Sequence, residues 1–218
     1  MTFSILALDP QTGWVGGAAA TGSLCVGGWV LRARADAGAS ASQGAAPSTM
    51  WGDEVLDRMR SGQGAAVAVA AVTGADTGRA ARQLAALDLS GGAAVHTGDE
   101  NTDVKGSRAD DGFVASGNLL SDTAVLDALA DSYRSATGPF AQRLLTAIRA
   151  AERAGGDSRG LQSAALLVVG RDIPPLTLRV DHDADPIAAL TRLHDRATTG
   201  DYGDWTRTVP VLDDPHRK

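Results

Sequence analysis

The stretch MTFSILALDPQTGWVGG, residues 1–17, decides the fold. TFSILALD (2–9) is apolar at most positions and rich in strand formers, so a core strand begins at the second residue. Pro10-Gln11-Thr12-Gly13 reads as a tight turn, and WVGGAAA returns as a second strand to close a hairpin. Most chains open on a polar, frayed lead-in. A strand starting at Thr2 places the terminus inside the structure, which invites a chemical explanation.

Downstream, CVGGWVLR and ADAGASASQ read as two more strands, with Cys25 as a small buried apolar residue in the first. Ser48 is placed to cap a helix carrying Trp51, Val55, Leu56 and Met59 at helical spacing, and a second helix is expected over 64–73. RQLAALDLSGGAAVHTG reads as strand, Ser90-Gly91-Gly92 turn, strand. Residues 99–111 are polar enough for a mobile lid, and FVASGN is a short strand. Two amphipathic helices follow, one on Val125, Leu126, Leu129 and Tyr133, the next on Phe140, Leu144, Leu145 and Ile148. LQSAALLVV and LTLRVDH are late strands, and Asp185-Pro186 opens a last helix. Residues 1–199 form one domain; 200–218 read as an irregular tail with Trp205 as a contact residue. Strands and helices in runs imply an α+β fold, antiparallel sheets with helices layered outside.

The chain has 218 residues, 44% hydrophobic and 21% charged, the composition of one globular domain. A net charge of −6 with scattered basic residues argues against nucleic acid or an anionic membrane as partner. Lys105 and Lys218 are the only lysines, so lysine-dependent chemistry has almost nowhere to sit. Cys25 is the only cysteine, which excludes an internal disulfide. No leader or long apolar run is evident, and the expected location is the cytoplasm. Association into a homo-oligomer is left open.

The terminus has chemistry of its own. Aminopeptidases generally remove an initiator Met before a small side chain, and trimming would leave Thr2 with a free α-amine beside its hydroxyl. A hydroxyl is a poor nucleophile until a base takes its proton. An α-amine titrates near a pKa of about 7.7–8.0, so one residue would supply both groups. A plain strand start is the alternative.

The motifs TFSILALD, SLCVGGWV, RADAGASASQGAAPST, AVHTG, SGNLL, GGDSRGLQSAALLVV and LRVDHDADPIAAL occur in this order. Together, from residue 2 to about 195, they resemble a bacterial family called domain of unknown function one thousand and twenty-eight, of the N-terminal nucleophile (Ntn) hydrolase superfamily. The resemblance implies a four-layer αββα sandwich of two antiparallel sheets, with Thr2 as nucleophile. The resemblance gives the mechanism class better than the reaction; the reaction expected here is hydrolysis of a small or peptide-like amide, without cofactor or metal. A non-catalytic binding or assembly protein that keeps the fold is the competing reading.

Other site residues follow from the chemistry such a site needs and, for Asn118, Asp157 and Arg34, from positions that match the resemblance. The Ser42-Gln43-Gly44 segment would supply oxyanion donors, a backbone N–H and the Gln43 amide, unless it is an ordinary strand end. Asn118 would donate to substrate or amine, or cap the next helix. Asp157 would steady the terminal threonine, with Ser163 in the same network, or be a loop carboxylate. Where proteasome-like members hold a lysine, this chain offers Arg32 and Arg34, with Arg34 the better match; the alternative is a surface strand residue. Thr21, Ser42, Gly44 and Ser163 are expected to line the substrate site. Asp36 replaces a common glycine, and Gly22 stands where a charge is frequent. DHDAD (181–185) resembles a metal-ligand run, but its place between strand and helix favours capping. No Walker-type loop occurs.

Overall fold

The computed structural model describes residues 2–218. The opening hairpin is β1 (Thr2–Leu8) and β2 (Val15–Thr21), paired in register from Thr2↔Thr21 to Leu8↔Val15. On β1, Phe3, Ile5 and Ala7 face one way while Thr2, Ser4, Leu6 and Leu8 face the other. Both faces are covered, which explains the nearly continuous apolar pattern.

CVGGWVLR is not one strand. Residues Val26–Trp29 form a single helical turn, α1, and Leu31–Arg34 form β3. Cys25 is half-buried in a left-handed conformation at the start of α1, so it is not a strand residue. The remaining strands are β4 (Gly38–Gly44), β5 (Arg82–Asp88), β6 (Ala93–Thr97), β7 (Gly106–Asp110), β8 (Phe113–Asn118), β9 (Ser163–Val169) and β10 (Leu176–Val180). They form two antiparallel sheets, ordered β10-β9-β2-β1-β8-β7 and β3-β4-β5-β6.

Helices α2 (Trp51–Arg60) and α3 (Ala65–Gly74) cover the four-stranded sheet, packing Trp51, Val55, Leu56 and Val69 against Leu84 and Ala86. The N-cap of α2 is Met50, not Ser48; Ser48, two residues earlier, braces the turn into the helix through its Oγ, which accepts from the Met50 and Trp51 N–H groups. Helices α4 (Ala124–Ser135), α5 (Phe140–Arg153) and α6 (Pro186–Thr198) cover the other sheet with Leu126, Leu129, Leu144, Ile148 and Leu190. A third apolar layer between the sheets holds Leu6, Val15, Ala41, Leu87 and Val114. The result is an α+β sandwich of four layers, αββα.

Two segments read as irregular are ordered. Residues 106–110 of the supposed lid form edge strand β7, and the turn before it is tied down by Lys105, whose Nζ donates to the Asp99 and Asn101 carbonyls. In the tail, Gly200–Thr206 forms α7, and Asp213 returns to bond Arg171. Trp205 is 56% exposed there, against Tyr202.

Candidate functional site

Thr2 sits at the sheet end where β1 begins and β2 and β8 finish, 4% exposed. Its backbone N–H donates to Asn118 Oδ1 at 2.9 Å, and its Oγ1 donates to Thr21 Oγ1 at 3.3 Å. Both partners face Thr2 directly across the ladders. The hairpin and strand β8 therefore fix the nitrogen and the hydroxyl together.

Asn118 is fully buried, and its amide orientation is not free. Its Nδ2 donates to Asn101 Oδ1 at 2.9 Å, which turns Asn118 Oδ1 toward Thr2. The amide thus turns its oxygen to the Thr2 nitrogen and commits one of its two N–H groups to Asn101. Asn101, on the turn before β7, was missed because it lay in a polar run that reads as a loop. Its Oδ1 also accepts from the Ala45 and Thr102 N–H groups, at 3.0 and 2.9 Å. Only its burial identifies it.

Gln43 lies beneath Thr2, but its donors are spent. Nε2 bonds Gln83 Oε1 at 2.6 Å and approaches the Thr2 carbonyl at 3.4 Å, while Oε1 accepts from Ser4 Oγ at 3.0 Å. Gln83 continues across to Thr97 Oγ1 and to the Gly106 and Gly117 carbonyls, joining the two sheets. Ser42 faces the helical layer: its Oγ donates to the Ser48 carbonyl at 2.7 Å, and its N–H to Val30. Strand alternation separates the two neighbours, Gln43 inward and Ser42 outward.

Asp157 and Ser163 do not bond Thr2. Both clamp the segment 22–26 that follows it across the hairpin. Asp157 Oδ2 accepts from the Gly22 N–H at 2.7 Å, and both its oxygens take the Arg159 guanidinium. A side chain at Gly22 would start 2.5 Å from the Gly160 carbonyl oxygen, so the clamp leaves no room for one. Ser163 Oγ donates to the Ser23 carbonyl at 2.7 Å and accepts from the Val26 N–H at 3.0 Å. Ion pairing with Asp157 holds Arg159 protonated, raising its pKa.

Arg34 stands apart. It pairs with Gly38, at the end of β4 remote from Gly44, about 20 Å away along the strand. Its guanidinium meets Asp57 of α2 at 2.9 Å and Asp36 at 3.3 Å. Acidic residues on the exposed side of α2 draw the arginines of β3 outward; Arg32 likewise faces Asp53 at 3.7 Å. Asp36 belongs to this turn and does not shape the site.

A cavity of about 280 Å³ opens beside Thr2. Thr2, Thr21, Ser23 and Gln43 supply its polar wall; Leu24, Val26, Trp29, Val30 and Pro47 supply the apolar one. Gly44 and Ala45 complete it with backbone. Gly44 adopts φ 134°, and a Cβ there would lie 2.8 Å from the Ala81 carbonyl oxygen, so this point of the wall takes only glycine.

Residues 2–190 match the model of a family described as "Family of unknown function (DUF1028)". The chain belongs to DUF1028. It is also similar to the crystal structure of protein SPO2555 from Silicibacter pomeroyi, ascribed to DUF1028. That match has 58% identity and a TM-score of 0.96, covering 99% of this chain and 94% of the other. No curated protein matches.

The DHDAD run of this DUF1028 chain is absorbed by structure. Asp185 Oδ1 accepts from the Ala188 N–H to cap α6, Asp183 accepts from the Asp185 N–H, and Asp181 pairs with Arg179. Among the described residues no cluster of three or more His, Cys, Asp or Glu could hold a metal. Among them, too, no helix is long and apolar enough to cross a membrane.

Proposed function

We propose that this DUF1028 protein is an amidohydrolase of the Ntn type whose nucleophile is Thr2, freed by removal of Met1. The observation that carries the reading is the shared placement of the Thr2 nitrogen and hydroxyl, both buried, at the wall of a cavity. Asn118 Oδ1 takes one N–H of the free amine and orients its lone pair toward Oγ. The amine accepts the hydroxyl proton as Oγ attacks the amide carbon, then returns it to the departing nitrogen. Water, deprotonated by the same amine, cleaves the resulting ester and restores Thr2. The bare backbone at Gly44 is the proposed oxyanion donor, in place of the Gln43 and Asn118 amides expected from the sequence. Thr21 steadies the hydroxyl, while Asp157 and Ser163 hold the cavity wall. The proposed setting is the cytoplasm, in keeping with a single cysteine.

The test is a mass measurement on purified protein, followed by labelling with a β-lactone acylating probe. A chain starting at Thr2, labelled there, unlabelled in Thr2→Ala and still labelled in Thr2→Ser, is the expected result. A mature chain that keeps Met1, or label that persists in folded Thr2→Ala, overturns the mechanism and leaves a binding protein with this fold. Turnover should also fall below the amine pKa, about 7.7–8.0 in model compounds, because protonation removes the base.

A further inference from the structure

The cavity beside Thr2 has a chemical character that the mechanism does not require. Among the described residues, not one of its lining side chains is charged, in a chain where 21% of residues are. Leu24 and Trp29 are 54% and 52% exposed, yet both stand on the cavity wall beside Val26, Val30 and Pro47. Large apolar side chains kept half in water around a concave site mark a surface that a ligand covers.

The wall that carries them is built to hold its shape. Ser163 bonds both ends of the 23–26 turn, Asp157 fixes Gly22, and the Cys25 N–H donates to the Asp181 carbonyl at 3.0 Å. Leu24 and Trp29 are thus presented by a pinned segment. The volume sets the size of the guest. About 280 Å³ exceeds the roughly 150 Å³ that accommodates a benzene ring, and falls at the lower edge of drug-sized sites. A carboxylate placed there would lose its hydration and find no charged side chain among the described lining residues, and the Thr2 amine must stay neutral to act as base.

We infer that the cavity selects an uncharged, apolar acyl group, of leucyl to indolyl size, with Trp29 and Leu24 as its specificity-determining residues. This rests on the hydrolase reading in one respect. The acyl part stays bonded to Thr2 Oγ after the amine leaves, so the cavity adjoining Oγ is its seat.

The test uses two amides that differ only at the far end, 3-phenylpropanamide and succinamate, a phenyl ring against a carboxylate. Binding to the full-length Thr2→Ala protein, which cannot turn over, is measured by calorimetry or ligand-observed NMR. The phenyl amide should bind at least tenfold tighter than succinamate. Trp29→Ala should weaken it fivefold or more and Leu24→Ser in the same direction, while Trp205→Ala, an exposed tryptophan elsewhere, should change nothing. Equal binding of the two amides, no binding of either, or indifference to both wall substitutions overturns the inference. Tight, Trp29-dependent binding with no turnover by protein that starts at Thr2 supports the apolar cavity and removes the hydrolase reading instead.

Discussion

The layer between the sheets has two unlike halves. At the end remote from Thr2, the inward positions of the four central strands are apolar: Leu6 and Leu8 on β1, Ala39 and Ala41 on β4, Ala85 and Leu87 on β5, Val114 on β8. Toward the site the same strand faces turn polar: Thr2 and Ser4, Gln43, Gln83, then Ser116 and Asn118, all buried. The change occurs on every strand at the same level, so it belongs to the site and not to one strand's sequence. The polar half is neutral and internally bonded, Ser4 to Gln43 and Ser116, Gln43 to Gln83. Buried amides and hydroxyls hold geometry through direction, at lower desolvation cost than ions. A reactive nitrogen and hydroxyl need that direction. The apolar half contributes stability without orienting anything.

Substitutions can break this contrast. Leu6→Ala should cost about 3 kcal/mol by leaving a cavity in the apolar half, with turnover per folded molecule unchanged. Gln83→Leu should cost about 2 kcal/mol, because the Gln43 donor and two carbonyls lose their partner, and it should also lower turnover. Urea titration gives the stabilities, and the amide assay separates the two halves. Next in size is Asn101→Ala, which frees the Asn118 amide to turn. We expect a loss of about 1–2 kcal/mol and a displaced pH–rate profile. Asn101→Asp keeps an accepting oxygen and should recover most of the turnover; equal defects in both variants would reduce Asn101 to a packing role.

Much of the fold could be read from the chain because its strands are apolar on both faces and its helices have clean stripes. The alternation of TFSILAL and the stripes of α4 and α5 are local signals, and burial follows from them. CVGGWVLR misled because a one-turn helix has no period to detect, and β7 was hidden because GSRAD is polar on an edge. At the site, Thr2 and Asn118 were legible and are brought into contact. Gln43 was chosen as a donor to ligand, yet its bonds run to Gln83, forty residues away, and no local pattern announces such a partner. Arg34 failed for a related reason. Sequence position along β3 cannot say which end of the strand meets the hairpin; the acidic side of α2 decided that.

The contrast sharpens along a single strand, since β5 carries Gln83 at the site end and Asp88 at the other. Asp88 is the charged counterpart of the glutamine. Its Oδ2 accepts from the Ala65 N–H at the start of α3, and its Oδ1 accepts from the Ser90 hydroxyl and the Ser90 and Gly92 N–H groups. Burial, the largest single influence, pushes its pKa up, but these four hydrogen bonds together outweigh it and hold the carboxyl below its ordinary value. A folded pKa below the unfolded one means stability that is present above the unfolded value, about 3.9, and lost as pH falls through the folded one. Asp88→Asn should therefore cost about 1 kcal/mol at pH 7. That difference should shrink as pH drops below about 4, because the wild-type carboxyl protonates too. The cost of Gln83→Leu should stay constant over the same range, since no member of its network titrates there. Urea midpoints of the two variants against wild type at pH 7 and pH 3 make the comparison; an Asp88→Asn difference that persists at pH 3 would make the Asp88 bonds a matter of shape and not of charge.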